Sequence, residues 1–432
     1  MIRHLLTGLI SAWGRRLPLS TINQGMQSAS SSLSVEIWQT ILRYSIGIEG
    51  FLDPDAFEGA LSQHQIGDGS LPRNDEAVYW DTEKTRTNLR CVSKSWNEYL
   101  STFRHRFVRM LDIRHGVVDR IALRGAIRVS FGRYKCLCRE YCGAAAPLLS
   151  SFTDFCKEVL EEVESTNMQI ADCMDENHEI REFAAVVRGF ENVRTFIGPL
   201  CTYSGYLASL LNNLPSIRQF YGKGFWGTRE HGGIRRLSSQ HLTTLSIHTR
   251  RGARYDTLTW DLPSLLHLRL KDDSGELLPE FLANSVLPLL RALGSNLLTL
   301  YMYSESGYKE AVPYAIWDLC PRLTTLRTAL EIGSPPPFFH PISTLIVSHE
   351  RQLGDFPGRP EWSQLRLVVL DIFWAWRGSE PMIHHLSERK NLRVEDRNGL
   401  TWAESQLLKA EGQVPKSFSS HDDWASSGRM AG

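Results

Sequence analysis

Apolar positions near the start of the chain recur at helical steps. In LSVEIWQTILRYSIG, residues 33–47, Val35, Trp38, Ile41 and Leu42 fall three or four apart or side by side, with Ile37 next to them. That period predicts an amphipathic helix. Glu36 lies in its first turn, where a negative charge suits the helix dipole, and Gly47 and Gly50 can end it. A second such stripe runs through LRCVSKSWNEYL, residues 89–100, as Leu89, Val92, Trp96 and either Tyr99 or Leu100. Between them, residues 48–82 hold the clusters DPD, GDG and PRND, which predict a long loop with a short helix at 56–62. Further on, Phe152, Phe155, Val159 and Val163 predict another amphipathic helix.

From about residue 186 the pattern becomes a repeat. One cassette occurs three times with the same offsets: LPSIRQF (214–220), LPSLLHL (262–268) and CPRLTTL (320–326). Related runs without the proline are VRTF, LTTLSI, LLTLYM, ISTLIV and LVVLDI. Marking each by its second apolar anchor gives Phe196, Phe220, Leu245, Leu268, Leu300, Leu326, Leu345 and Leu370. Successive gaps are 24, 25, 23, 32, 26, 19 and 25 residues, a spacing that suits one strand and one helix per unit. Helical stretches precede several strands, as in Leu207, Leu210, Leu211 and Leu214, or Val286, Leu290 and Leu293. Proline in the cassette stops the helix and turns the chain into the strand. No single unit of this kind buries its own apolar face, so neighbours must stack. The predicted fold class is α/β: an N-terminal helical bundle followed by an irregular leucine-rich-repeat-like solenoid with a parallel sheet. The gaps of 32 and 19 leave a parallel α/β sheet that is not a solenoid as the alternative.

The pattern divides the chain into a flexible leader (1–32), a helical module (33–112), a helical linker region (113–185), the repeat domain (186–402) and a disordered tail (403–432). The opening MIRHLLTGLISAW has the form of a signal peptide and equally of an amphipathic tail; the tail reading is preferred. The uncharged run 195–217 is long enough to span a bilayer. Pro199, Pro215, Asn212 and Asn213 interrupt it, so a soluble segment is expected.

Charge narrows the field of partners. The 48 basic and 48 acidic residues cancel, so there is no basic excess for nucleic acid and no polybasic membrane anchor. The 8 cysteines are scattered and no N-x-[ST] sequon occurs, which fits a reducing compartment, the cytoplasm or nucleus. Cys136, Cys138 and Cys142 lack a second half with zinc-ligand spacing and are read as ordinary thiols; no metal and no cofactor is expected. GKGFWG at 222–227 matches a dinucleotide-binding pattern, but TREHGG follows it where a helix should open, so a glycine-rich turn is expected. His384 and His385 are adjacent and make a poor ligand pair. No G-x4-GK[ST], H-E-x-x-H or G-x-S-x-G occurs, and no nucleophile with its base stands out, so no enzyme is expected.

Residues 33–46 and 89–100 together resemble an F-box, in the form common in fungal proteins with trailing leucine-rich repeats. The family opens on Leu-Pro-x-Glu-Ile; this chain has Leu33, Ser34, Val35, Glu36, Ile37 and Trp38, with serine in place of proline. The family's later helix carries Leu-x-x-Val-Cys/Ser-Lys-x-Trp; this chain has Leu89, Val92, Ser93, Lys94 and Trp96. The resemblance implies a substrate-recognition subunit of an SCF-type (cullin–RING) ubiquitin ligase. It would bind the Skp adaptor, and through it a cullin, while the repeats bind a protein target. Leu33, Val35, Ile37, Trp38, Ile41, Leu89, Val92 and Trp96 are its candidate adaptor contacts, undivided between core and interface. Trp38 and Trp96 are the preferred anchors, since buried tryptophans favour interfaces. The alternative is a repeat scaffold with no ligase link, its helices merely capping the repeats.

On the strands, the residues flanking each marker should face outward. They are Thr244, Ser246 and His248; His267, Arg269 and Lys271; Thr299, Tyr301 and Tyr303; Thr325 and Arg327; Asp371 and Phe373. Arg269, Tyr301, Tyr303, Arg327 and Phe373 are the target-binding candidates, since Tyr and Arg dominate hot spots. A solvated sheet face is the plainer reading for each.

Overall fold

The computed structural model describes residues 34–47, 51–54, 75–132, 150–163, 166–173, 191–199, 210–225, 237–249, 260–272, 282–304, 311–347, 359–370 and 391–396, with a few single residues near the C-terminus. Three helices come first: α1 (Val35–Ile46), α2 (Asp75–Arg90) and α3 (Lys94–Ser101). Strand β1 (Phe107–Arg109) follows, then α4 (Met110–Arg114), β2 (Arg128–Ser130), α5 (Ser150–Glu162), β3 (Ile170–Asp172) and β4 (Thr195–Pro199). Next come β5 (Gln219–Phe225), β6 (Leu237–Ser238), β7 (Thr244–Thr249), β8 (Trp260–Asp261) and β9 (His267–Asp272). The rest are α6 (Leu287–Leu293), β10 (Thr299–Ser304), α7 (Ala315–Leu319), β11 (Thr325–Thr328), β12 (Thr344–Val347), β13 (Leu367–Leu370) and β14 (Arg393–Asp396).

Twelve strands form one parallel sheet in sequence order, β1-β2-β3-β4-β5-β7-β9-β10-β11-β12-β13-β14. The pair β6 and β8 forms a second, two-stranded parallel sheet. The protein is therefore α/β, with a parallel sheet that does not close.

The repeat cassette has a concrete backbone meaning. Ile217 N–H donates to Leu214 C=O, Leu265 to Leu262 and Leu323 to Cys320, each at 3.1 Å. These are four-residue turns with proline at the second position, where its fixed φ fits. Without proline, Leu297 closes on Gly294 and Leu365 on Trp362. Each turn delivers the chain to a second recurring contact. Arg218 and Gln219 N–H both donate to Arg194 C=O, Leu266 and His267 to Thr243 C=O, and Thr324 and Thr325 to Leu298 C=O.

That contact also occurs upstream of the expected repeat. Ile127 and Arg128 N–H donate to Arg106 C=O, and Gln169 and Ile170 to Ile127 C=O. The stacked strands thus begin at Phe107 rather than near 186, and the region expected to be a helical linker supplies β2 and β3. Its expected amphipathic helix is present as α5, with Phe152, Val159 and Val163 buried.

The register fixes the core. Val108, Val129, Ala171, Phe196, Phe220, Leu245, Leu268, Leu300, Leu326, Leu345, Val368 and Val394 stand side by side, one per strand, and all belong to one apolar cluster. The last expected marker shifts by two: Val368, not Leu370, pairs with Leu345. Phe196 and Phe220 stack with ring centroids 5.5 Å apart. Leu289, Leu290 and Leu293 of α6, and Ile316 and Trp317 of α7, close the same face.

Three further expectations change. Residues expected as loop up to 82 are helical from Asp75. The expected helix 89–100 is two helices: α2 ends at Arg90, and Ser93, extended at φ −156°, caps α3 by accepting Trp96 N–H at 3.2 Å. Replacing Ser93 by Ala should cost about 1 kcal/mol, read from urea unfolding. Gly222 through Phe225 lie in β5 rather than in a turn. The leader and the C136-C138-C142 cluster lie outside the described residues, as do His384 and His385 and nearly all of the tail. Part of the run 195–217 is strand β4, and among the described residues no helix is long and apolar enough to cross a membrane.

Candidate functional site

The first candidate surface is built on α1 and α3. Leu42 and Ile46 of α1 bury against Leu100 of α3, with Leu89, Trp96, Tyr99 and Phe103 packed around them. Trp38 and Trp96 meet at 5.2 Å between ring centroids, tilted by 49°. Tyr99 Oη donates to Gln39 C=O at 3.3 Å and ties α3 to α1. The two sequence stripes therefore converge on one small unit.

The structure separates core from surface where the sequence did not. Leu42, Ile46 and Leu100 are the core; Leu42 lies on the first predicted stripe, Leu100 is the alternative to Tyr99 on the second, and Ile46 is on neither. Trp38, Ile41, Leu89, Val92 and Trp96 are half-buried. Val35 and Ile37 are exposed at 66% and 48%, and Tyr44, at 68%, joins them on α1. Leu33 lies outside the described residues. Tyr44 is not among the sequence candidates, although it stands three residues after Ile41 at helical spacing.

This unit is fastened to the sheet. Glu83 of α2 receives Arg86 Nε at 2.7 Å and Arg106 Nη2 at 2.9 Å. Arg86 Nη1 donates to Leu100 C=O at the end of α3, and Arg106 Nη1 to Ile46 C=O at the end of α1. Cations there satisfy carbonyls that the helices leave unpaired. Phe51, Tyr79 and Phe107 form an aromatic cluster beside them, with rings 5.1–5.5 Å apart. Burial pushes the Tyr79 hydroxyl well above its usual pKa, so it stays protonated.

Residues 51–54 reach over the sheet face opposite the core. Arg128 lies 4.1 Å from the Phe51 ring centroid, donates to Phe51 C=O at 3.2 Å and pairs with Asp172 at 2.5 Å. Thr195 Oγ1 donates to Pro54 C=O at 3.0 Å. At this end, then, the face carries a paired arginine.

The second candidate surface lies further along that same face. The register aligns Tyr221, Ser246, Arg269, Tyr301 and Arg327 in one row. The Tyr301 ring sits between two guanidinium carbons, Arg269 at 4.6 Å and Arg327 at 4.7 Å. Lys271 Nζ stands 5.5 Å from the Tyr303 ring. Such contacts stabilise by about 0.5–2 kcal/mol each, more when desolvated.

Here the expectation of exposure fails. Arg269 is 1% exposed, and Ser246, Thr244, Thr299, Tyr301, Thr325 and Arg327 are buried as well. Only His267, Lys271 and Tyr303 of the expected set are half-buried; the side chain of His248, together with Asp371 and Phe373, lies outside the described residues. Strand alternation fixes which face a residue is on, not whether that face meets water. Arg269, Tyr301 and Tyr303 are brought together, and Arg327 joins them.

Burial pulls the Arg269 pKa down, against the neighbouring Tyr301 hydroxyl, though not enough to discharge a guanidinium. Its Nε and Nη2 have no hydrogen-bond partner. Gln219 Nε2, Thr244 Oγ1 and Ser246 Oγ nearby are also unpaired. Among the described residues, no cluster of His, Cys, Asp or Glu could hold a metal ion. Searches of protein-family models found no match to the chain. No curated protein is significantly similar to it.

Proposed function

We propose that the chain is the substrate-recognition subunit of an SCF-type ubiquitin ligase, an F-box protein whose stacked strands form a leucine-rich-repeat-like solenoid. The helical unit binds a Skp-type adaptor and through it a cullin; the repeats hold a protein target, in the cytoplasm or nucleus. The chain catalyses nothing itself. Holding a target lysine beside a charged ubiquitin carrier raises the local concentration of the two reactants.

The observation that carries this reading is the convergence of α1 and α3. Trp38 and Trp96 pair at 5.2 Å while Val35, Ile37 and Tyr44 stay exposed on the adjoining surface. An apolar patch of that kind on a unit fixed to a long sheet suits a rigid bridge between adaptor and target.

Co-expression with a Skp-type adaptor tests it. The wild-type chain should co-purify. Val35→Glu with Ile37→Glu should weaken binding by about thirtyfold or more, the effect of losing a hot spot worth about 2 kcal/mol. Because both side chains are exposed, the thermal midpoint should hardly move. Trp38→Ala with Trp96→Ala should also abolish association. Unchanged binding in both variants rejects the assignment.

One observation favours a scaffold without a ligase link. The helices pack Tyr79 against Phe107, and Arg106, just before β1, donates to Ile46 C=O at the end of α1, as a cap on the first strand would. In that case the adaptor fails to co-purify with a folded chain.

A further inference from the structure

We propose that the middle of the sheet face opposite the core is a preformed oxyanion site, centred on Arg269, for a carboxylate or phosphate group carried by a ligand. The two unpaired nitrogens of Arg269, Nε and Nη2, are the side-on edge of the guanidinium. That edge presents two parallel N–H donors at the spacing of two oxygens of a carboxylate or phosphate. Arg269 is 1% exposed, so bulk water does not satisfy it.

The surroundings complete the argument. Ser246 Oγ, directly beside Arg269 in the register, has no partner, and Thr244 Oγ1 and Gln219 Nε2 lie one row away in the same condition. Each can donate. Tyr221 Oη donates to Gln219 Oε1 at 3.2 Å, while the Gln219 amide nitrogen, Nε2, meets no acceptor. From β4 to β13, the described side chains at the aligned positions on this face include Arg269, Arg327, Lys271 and His267, and, among the described residues there, no Asp or Glu.

The contrast with the other buried arginine on the face is direct. Arg128 has Asp172 as its carboxylate. Arg269 has the same burial and, among the described residues, no anion; its two open donors are the place a ligand's oxyanion would fill. The inference does not rest on adaptor binding and stands if that reading fails.

Thermal shift on the full chain, at constant ionic strength held with chloride, tests it. The probes are inorganic phosphate and pyrophosphate in one arm, and succinate and citrate in the other. At saturation, one arm should raise the midpoint by roughly 5 °C. Arg269→Met should abolish the rise while leaving the ligand-free midpoint unchanged or higher, because an unpaired buried charge is gone. Arg269→Lys, which keeps the charge and loses the fork, should lose most of it. The exposed Arg366→Gln should keep it. Whichever arm gives the Arg269-dependent rise names the group as phosphate or carboxylate. Equal rises in wild type and in either Arg269 variant, or none in wild type from all four probes, overturns the site. If Arg269→Met does not fold, the lysine variant and calorimetric titration of the wild type carry the decision alone.

Discussion

Glu83→Ala should destabilise the protein by about 3–5 kcal/mol, the cost of removing one member of a buried ionic group. Glu83 lies between Arg86 and Arg106, all three with side chains no more than 13% exposed. Its removal leaves two buried guanidiniums without a carboxylate. Neither arginine can simply move to water, because Arg86 holds Leu100 C=O at 3.1 Å and Arg106 holds Ile46 C=O at 2.9 Å. The loss should therefore fall on the helical unit, with Trp38 and Trp96 reporting it by fluorescence at lower urea than the sheet unfolds. Glu83→Gln should cost less, since one hydrogen bond survives. Replacing Glu83, Arg86 and Arg106 together by apolar residues of similar volume should recover part of the loss, less the two carbonyl bonds at about 0.5–1.5 kcal/mol each. A loss below about 1 kcal/mol for Glu83→Ala would mean that these charges do not fasten the helices to the sheet.

None of this network was legible in the sequence. Glu83, Arg86 and Arg106 are ordinary charged residues until α1, α3 and β1 bring two helix ends to one place. The opposite holds for the core row from Phe196 to Leu345, where every marker found by offset is a register partner of the next. Offsets worked there because the turn, the paired carbonyl and the inward side chain sit at fixed distances along the chain. They failed upstream because β1, β2 and β3 are three residues long and their inward residues are Val108, Val129 and Ala171, with no leucine to mark them. They slipped at LVVL, where Val368 and Leu370 both point inward and either could be the anchor.

The candidate surfaces divide in the same way. Val92 and Trp96 read as one stripe at helical spacing, yet Ser93 starts a new helix between them. Serine's preference for that position was a visible signal, overridden in the reading by the apolar period. Arg269 and Tyr301 were correctly placed on the face away from the core, and their burial was not foreseeable. Burial on that face depends on what lies above it, and strand periodicity carries no such information.

If each strand contacts only its neighbours, the energetics of the core row should be short-ranged. Leu268→Ala and Leu300→Ala should each cost about 2–5 kcal/mol, because both side chains are fully buried and their cavities open into packed neighbours. The two are direct register partners, so the cavities merge. Their combined cost should depart from the sum by about 0.5–3 kcal/mol. Leu245 and Leu345 lie in the same row but four strands apart, roughly 19 Å at about 4.8 Å per strand. Leu245→Ala with Leu345→Ala should add to within about 0.5 kcal/mol. Urea unfolding of the six single and double variants measures both couplings against one wild type. Strong coupling at four strands' distance would show that the sheet answers as one body, and no coupling between Leu268 and Leu300 would contradict their contact. The expected pattern, near coupling and distant additivity, is what a chain of stacked units produces, since each leucine there is buried by the rungs on either side of it.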